Sequence, residues 1–163
     1  MMDRTRIEAF VEKKADYYLD EWETMGYGDK SKASWNWAAF LASPFWMLYR
    51  KLYPHLGILI IVYAVDVSVS MYLEDAGMAS SRIIVLWDRV SPIIYGSVIG
   101  SFANYWYLRR FIKFDELARN SSPDPIHQKE FLRRKGGTNA IVVWTLIVMG
   151  VSIGWLMFGE TPP

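Results

Sequence analysis

Apolar positions fall along this chain in three patterns. From Asp3 to Met25 they recur at near-helical spacing, at Ile7, Phe10, Val11, Tyr18, Trp22 and Met25. Glu8, Glu12, Lys13, Asp16, Asp20 and Glu23 occupy the rest of the wheel, so the spacing predicts one amphipathic helix. Gly26 to Lys32 is rich in turn formers and reads as a linker, closing a first region, residues 1–33.

The second pattern is aromatic. Residues 34–53 hold three of the eight tryptophans, with basic residues at both ends. The apolar run from Trp35 to Tyr49 falls short of the roughly 20 residues that a spanning helix needs. Ser34 is placed to cap a helix from Trp35 to Ala42. Ser43-Pro44 then opens a second, running to about Tyr53, since proline suits a first helical turn and not a helix interior. The stretch reads as a helical hairpin at the membrane–water interface, flat or re-entrant, with Trp35, Asn36, Trp37, Pro44, Phe45, Trp46 and Tyr49 meeting lipid or partner. Tryptophan and tyrosine favour that layer because one end is apolar and the other needs a hydrogen bond. Arg50 and Lys51 are expected to reach lipid phosphates.

The third pattern is continuous hydrophobicity. Leu56 to Leu73 is eighteen residues with one charge, Pro92 to Leu108 seventeen with none, and Ala140 to Phe158 nineteen with none. Each suffices to cross a hydrocarbon core of about 30 Å, placing spans near residues 54–73, 91–109 and 139–158 of a membrane domain covering 34–163. Between the first two, Ile83–Trp87 is too brief to cross and reads as an interfacial helix ended by Ser91-Pro92. The second span is expected to continue as helix to about Arg119, before Asn120 to Pro125 breaks it. Gly136-Gly137 stops a short basic helix, and Thr138 is expected to cap the third span. The fold class is therefore all-α and integral to a membrane.

Lysine and arginine give the orientation. Eight precede the first span, two lie between the first and second, eight between the second and third, and none follow. That distribution places the N-terminus in the cytoplasm and the C-terminus in the periplasm. The start, Met1 to Arg6, is charged with no apolar core after it, so no cleavable signal peptide is expected.

Composition removes several classes. Charge is near balance, 18 Lys+Arg against 17 Asp+Glu, so no basic field points to nucleic acid. With no cysteine, disulfides and thiolate chemistry are excluded. His55 and His127 lack metal-ligand spacing, and no catalytic triad or nucleophile elbow is visible. No enzyme and no cofactor are expected.

The motif Ser34-Trp35-Asn36-Trp37-Ala38-Ala39-Phe40, followed by Pro44-Phe45-Trp46-x-Leu48-Tyr49-Arg50-Lys51-x-Tyr53, resembles the signature of a family of small bacterial inner-membrane proteins filed as a domain of unknown function. Phe10-Val11, Ala15-Asp16-Tyr17-Tyr18, Gly100-x-x-x-Asn104-x-x-Tyr107 and Gly136-Gly137-Thr138 extend the resemblance over most of the chain. It implies localisation and topology, and no activity. Ala42-Ser43 depart from it, where a glycine or aromatic is expected.

Four groups within the membrane domain are candidates for chemistry or contact. Asp66 lies ten residues past Leu56, about 15 Å along a helix and near the midplane. It is read first as structural glue bonded to a neighbouring Ser or Tyr, and second as a proton or ion relay. Asn104 is expected to bond across helices. Gly96/Gly100 and Gly150/Gly154 would let helix backbones approach, one pair inside the bundle and one at an interface, including a homo-oligomer's. Arg133, Arg134 and Lys135 before Gly136, Gly137 and Thr138 set a helix N-terminus beside a basic cluster. That end is weighed as a headgroup-phosphate site against plain positive-inside anchoring, the stronger reading. The leading function is a non-enzymatic accessory, scaffolding or assembly subunit binding membrane lipids and other membrane proteins. The alternative is a small oligomeric transporter using Asp66.

Overall fold

A computed structural model describes residues 3–28 and 33–158. Asp29 to Lys32 of the expected linker, and both chain ends, lie outside the described residues. Helix accounts for 83% and the described residues form no strand. The helices are α1 (Arg4–Val11), α2 (Ala15–Thr24), α3 (Trp37–Leu41), α4 (Ser43–Tyr49), α5 (Tyr53–Asp75), α6 (Ser81–Ser121), α7 (Pro125–Lys135) and α8 (Ala140–Phe158), with a 3₁₀ turn at Gly26–Gly28.

α6 is the axis. Its 41 residues run about 60 Å at 1.5 Å per residue, roughly twice the thickness of a hydrocarbon core. The second half carries the core. Ala103, Tyr107, Leu108, Phe111 and Ala118 are buried there against Phe10 and Val11 of α1, Tyr18 and Trp22 of α2, Trp46 and Met47 of α4, and Leu132 of α7. The Trp22 ring stacks on Phe111 at 5.3 Å and tilts against Tyr107 at 5.7 Å. The amphipathic stripe read from the N-terminal region is thus its packing face.

Polar contacts fix the same cluster of α1, α2, α4, α7 and the second half of α6, which forms a head on the molecule. Arg6 is buried and donates to the Asp115 carboxylate at 2.6 Å and to Gln128 at 2.6 Å, joining α1, α6 and α7. Arg119 holds the other Asp115 oxygen at 2.9 Å. α7 starts on Asp124, whose side chain accepts from the Ile126 N–H at 2.9 Å and whose carboxyl is held below its usual range by that bond.

Three helical stretches are long and apolar enough to cross a membrane by length and composition: α5, α6 and the segment ending in α8. Their apolar flanks are bare. Ile61 is 64% exposed and Ile141 82%. This is compatible with a membrane protein, in which lipid covers such surfaces.

Several elements differ from expectation. The predicted single N-terminal helix is two, because Glu12 and Lys14 both take positive φ, 64° and 61°. The break turns the last carbonyls of α1 toward acceptor roles described below. Pro92 does not end a helix, and Ile83–Trp87 is no separate interfacial helix; α6 runs unbroken through both. Proline removes one backbone bond, whereas ending the helix in an apolar stretch would strand several. The first hairpin helix starts at Trp37 on an Asn36 cap, not at Trp35 on Ser34, because the Asn36 side chain accepts from the Ala39 N–H at 3.0 Å. Ser43 lies inside α4, its hydroxyl donating to the Ala39 carbonyl at 2.7 Å.

Candidate functional site

The hairpin α3–α4 is seated on α6 by a hydrogen-bonded knot. Ser34 to Asn36 runs extended beside the helix, and the main-chain N–H groups of Ser34 and Asn36 donate to the carbonyls of Ser101 and Gly100, at 3.0 and 2.8 Å. Such carbonyls keep a second lone pair after their helical bond. The Asn104 side chain, fully buried, then uses every group it has. Its oxygen accepts from Asn36 at 2.8 Å, while its amide donates to the Tyr17 oxygen at 2.8 Å and to Ser34 Oγ at 2.7 Å. Trp22 Nε1 adds a bond to the Asn104 carbonyl at 3.3 Å. Asn104 thus bonds across helices to α2 and to the start of the hairpin.

Gly96 and Gly100 make the approach possible. A Cβ at Gly100 would lie 3.0 Å from Phe40 Cβ, and one at Gly96 would lie 2.9 Å from the Phe40 carbonyl oxygen. The pair therefore receives Phe40 of α3, not another long helix. Gly150 and Gly154 on α8 meet nothing within 4 Å.

The hairpin divides its aromatic residues. Trp46 and Asn36 are buried, whereas Trp35, Trp37 and Phe45 are exposed, Trp37 by 66%. Arg50 corrects the expectation of a free basic end, because it is buried. Its guanidinium donates to the Val11 carbonyl at 3.0 Å and to the Lys13 carbonyl at 3.2 Å, with the Tyr18, Tyr49 and Tyr107 rings 4.9–5.2 Å from its carbon. No carboxylate pairs with it among the described residues. The carbonyl end of α1 and three ring faces take that place, favouring a cation through the helix dipole and the aromatic quadrupoles. Burial pushes the Tyr18 phenol above its ordinary value, and the nearby Arg50 charge opposes the shift. Lys51 also turns inward, donating to the Gly136 carbonyl.

The basic turn, weighed as a headgroup-phosphate site against plain anchoring, already holds an anion. The Glu12 carboxylate accepts from the Thr138 N–H at 3.1 Å and lies 3.4 Å from its hydroxyl. Gly137, with φ +68°, donates to the Phe10 carbonyl at 2.7 Å, and a side chain on Gly136 would overlap that carbonyl. Gly136-Gly137-Thr138 is a seat for the end of α1. Arg133, Arg134 and Lys135 are exposed beside it.

Asp66 on α5 accepts from Trp87 Nε1 on α6 at 2.7 Å. α6 begins well before Pro92 and so brings Trp87 level with Asp66; Tyr95 of the same helix also stands against the carboxylate. Among the described residues no group of three His, Cys, Asp or Glu side chains comes together as metal ligands would.

Between the hairpin and the start of α2 lies a groove of about 670 Å³. Lys13, Lys14 and Tyr17 edge it, Arg50, Asn36 and Trp46 line it more deeply, and Trp35, Trp37, Phe45 and Val143 of α8 extend it. Lys13, Lys14, Tyr17 and Tyr18 are the site residues that the sequence reading left out. Tyr18 lies on the apolar stripe of the predicted amphipathic helix. The Lys13-Lys14 pair, which interrupts that stripe, was the available signal.

The family described as "Protein of unknown function (DUF2628)" matches residues 3–111. The match takes in α1 to α5 and the part of α6 that carries Gly96, Gly100, Asn104 and Tyr107. No curated protein and no solved structure matches the chain.

Proposed function

We propose that this chain, which belongs to the DUF2628 family of proteins of unknown function, is a non-enzymatic accessory or scaffolding subunit of a bacterial inner membrane. In this reading α5, α6 and α8 span the bilayer, and the head built on the second half of α6 lies on the cytoplasmic side. The lysine and arginine distribution, eight, two, eight and none, supports that orientation. The hairpin α3–α4 lies at the inner interface, its exposed Trp35, Trp37 and Phe45 contacting lipid or partner.

The observation that carries the reading is the contrast between head and spans. The head is closed by buried aromatic contacts, the Arg6–Asp115 ion pair and the bonds around Asn104. α5 and α8 instead present long apolar flanks, and a Cβ at Gly150 or Gly154 of α8 would meet nothing within 4 Å. A second membrane protein or a second copy packing on α8 would use that face. Recovery of the tagged full chain in a gentle detergent tests this. A stoichiometric membrane-protein partner, lost on Gly150→Ile, is expected. A chain recovered alone, with no partner and no oligomer, overturns the reading.

A further inference from the structure

We propose that the groove between the hairpin and α2 holds the headgroup of one net-anionic, phosphate-bearing membrane lipid, with its chains running along the exposed aromatics toward α8. The inference rests on the membrane reading above and assigns it a specific site. Three features of the groove point to this class of ligand.

The first is charge. Lys13 and Lys14 edge the groove, Arg50 lines it, and no Asp or Glu does. The second is a set of donors without acceptors, one buried at Arg50 and the others at the groove's exposed edge. Arg50 is 4% exposed, and its Nε finds no partner among the described residues while both terminal nitrogens are engaged. The Tyr17 oxygen accepts from Asn104, and its own O–H has no acceptor among the described residues. α2 begins at Ala15 with no side-chain cap, so its first N–H groups are open beside Lys14. Leaving Arg50 Nε unpaired is costly, and a phosphate supplies several strong acceptors at once to the donors along the groove's edge. The third is the way out. Trp37 and Phe45, both exposed, and Val143 of α8 carry the groove onto the apolar flank of a long helix. A free inorganic anion has no use for that extension, whereas an acyl chain does.

The test uses the full chain in gentle detergent, with retained lipid read by native mass spectrometry. Phosphatidylglycerol and phosphatidylcholine of matched chains are offered in equal amounts, with glycerol phosphate as a soluble competitor. Arg50 and Asn104 are left intact, because the fold leans on them. One phosphatidylglycerol is expected to be retained in preference to phosphatidylcholine. The double variant Lys13→Glu/Lys14→Glu, confirmed as folded by an unchanged lipid-free melt, should reduce that preference about tenfold or more. Phe45→Ala should weaken retention of both lipids, and Arg133→Glu/Arg134→Glu should leave the preference intact. Equal retention of the two lipids, or an undiminished preference in the Lys13/Lys14 variant, overturns the proposal. Displacement of the lipid by glycerol phosphate would instead mark a soluble anion as the ligand and overturn it too. Partner recovery is a separate measurement, so failure here leaves the accessory-subunit reading to stand or fall on its own result.

Discussion

Arg6 and Asp115, 109 positions apart, share a buried hydrogen-bonded ion pair at 2.6 Å. Their side chains are 8% and 12% exposed, so water screens the pair little. Removing one partner leaves the other charge buried. Asp115→Ala is expected to destabilise the head by about 3–5 kcal/mol. Arg6→Met combined with Asp115→Leu should recover most of that loss, because neither charge is then stranded. Chemical denaturation in detergent micelles, following tryptophan fluorescence, measures both; equal loss in single and double variants would refute the pairing.

The two glycine pairs should behave differently. Gly100→Ala puts a Cβ against Phe40 and is expected to cost about 1–3 kcal/mol through overpacking of α3 on α6. Gly150→Ala meets open space and should leave the isolated chain's stability unchanged. Thermal melts of the two variants side by side decide this.

How much of this was legible in the sequence depends on what each feature answers to. The apolar run Ala140–Phe158 covers the same residues as α8, because uninterrupted hydrophobicity is a local property. The break at Glu12–Lys14 is not local. Helix propensity favours continuing through Lys13, but the carbonyls of Val11 and Lys13 turn out to meet Arg50, which lies 39 and 37 positions away. The same contact hid the destination of Arg50, which as a sequence feature looks like any basic residue beside a tryptophan belt. Phe40 as the partner of Gly96 and Gly100 was equally hidden, since small-residue spacing states that something packs closely and not what.

Asn104→Leu should be more damaging than its size suggests. It leaves the Asn36 amide without its acceptor and Ser34 Oγ and the Tyr17 oxygen without their donor, and adds bulk at a fully buried position. The expected loss is about 1–3 kcal/mol for each buried group left unpaired. Proteolysis within residues 33–42 reads the release of the hairpin directly; resistance equal to wild type would contradict the knot.

Stability should fall in alkali. Burial raises the phenols of Tyr17 and Tyr18 above the ordinary value of 10.0. Below about pH 10 these phenols are neutral whether the chain is folded or not, and they add no pH dependence. Above it the unfolded phenols ionise first, so the folded state loses stability as pH rises toward its own higher values. Melting temperature measured from pH 7 to 11 should decline only in the last part of the range, and Tyr18→Phe should flatten the decline.

Asp66 is engaged by Trp87, tying α5 to α6. Asp66→Asn keeps an acceptor for that indole and is expected to leave proton flux across liposomes unchanged. A flux present in wild type and absent in the variant would revive transport as the function.

Glu12 meets Thr138 across 126 positions of chain, beside the Gly137 bond to Phe10. A ribosome therefore delivers the first helix on the order of ten seconds before its seat exists, at ordinary synthesis rates. Until α6 is made, Phe10 and Val11 lack the rings they pack against, and until Gly137 follows, the Phe10 carbonyl lacks its donor. A product terminated before α6 would keep both side chains bare for good, an apolar surface open to proteolysis.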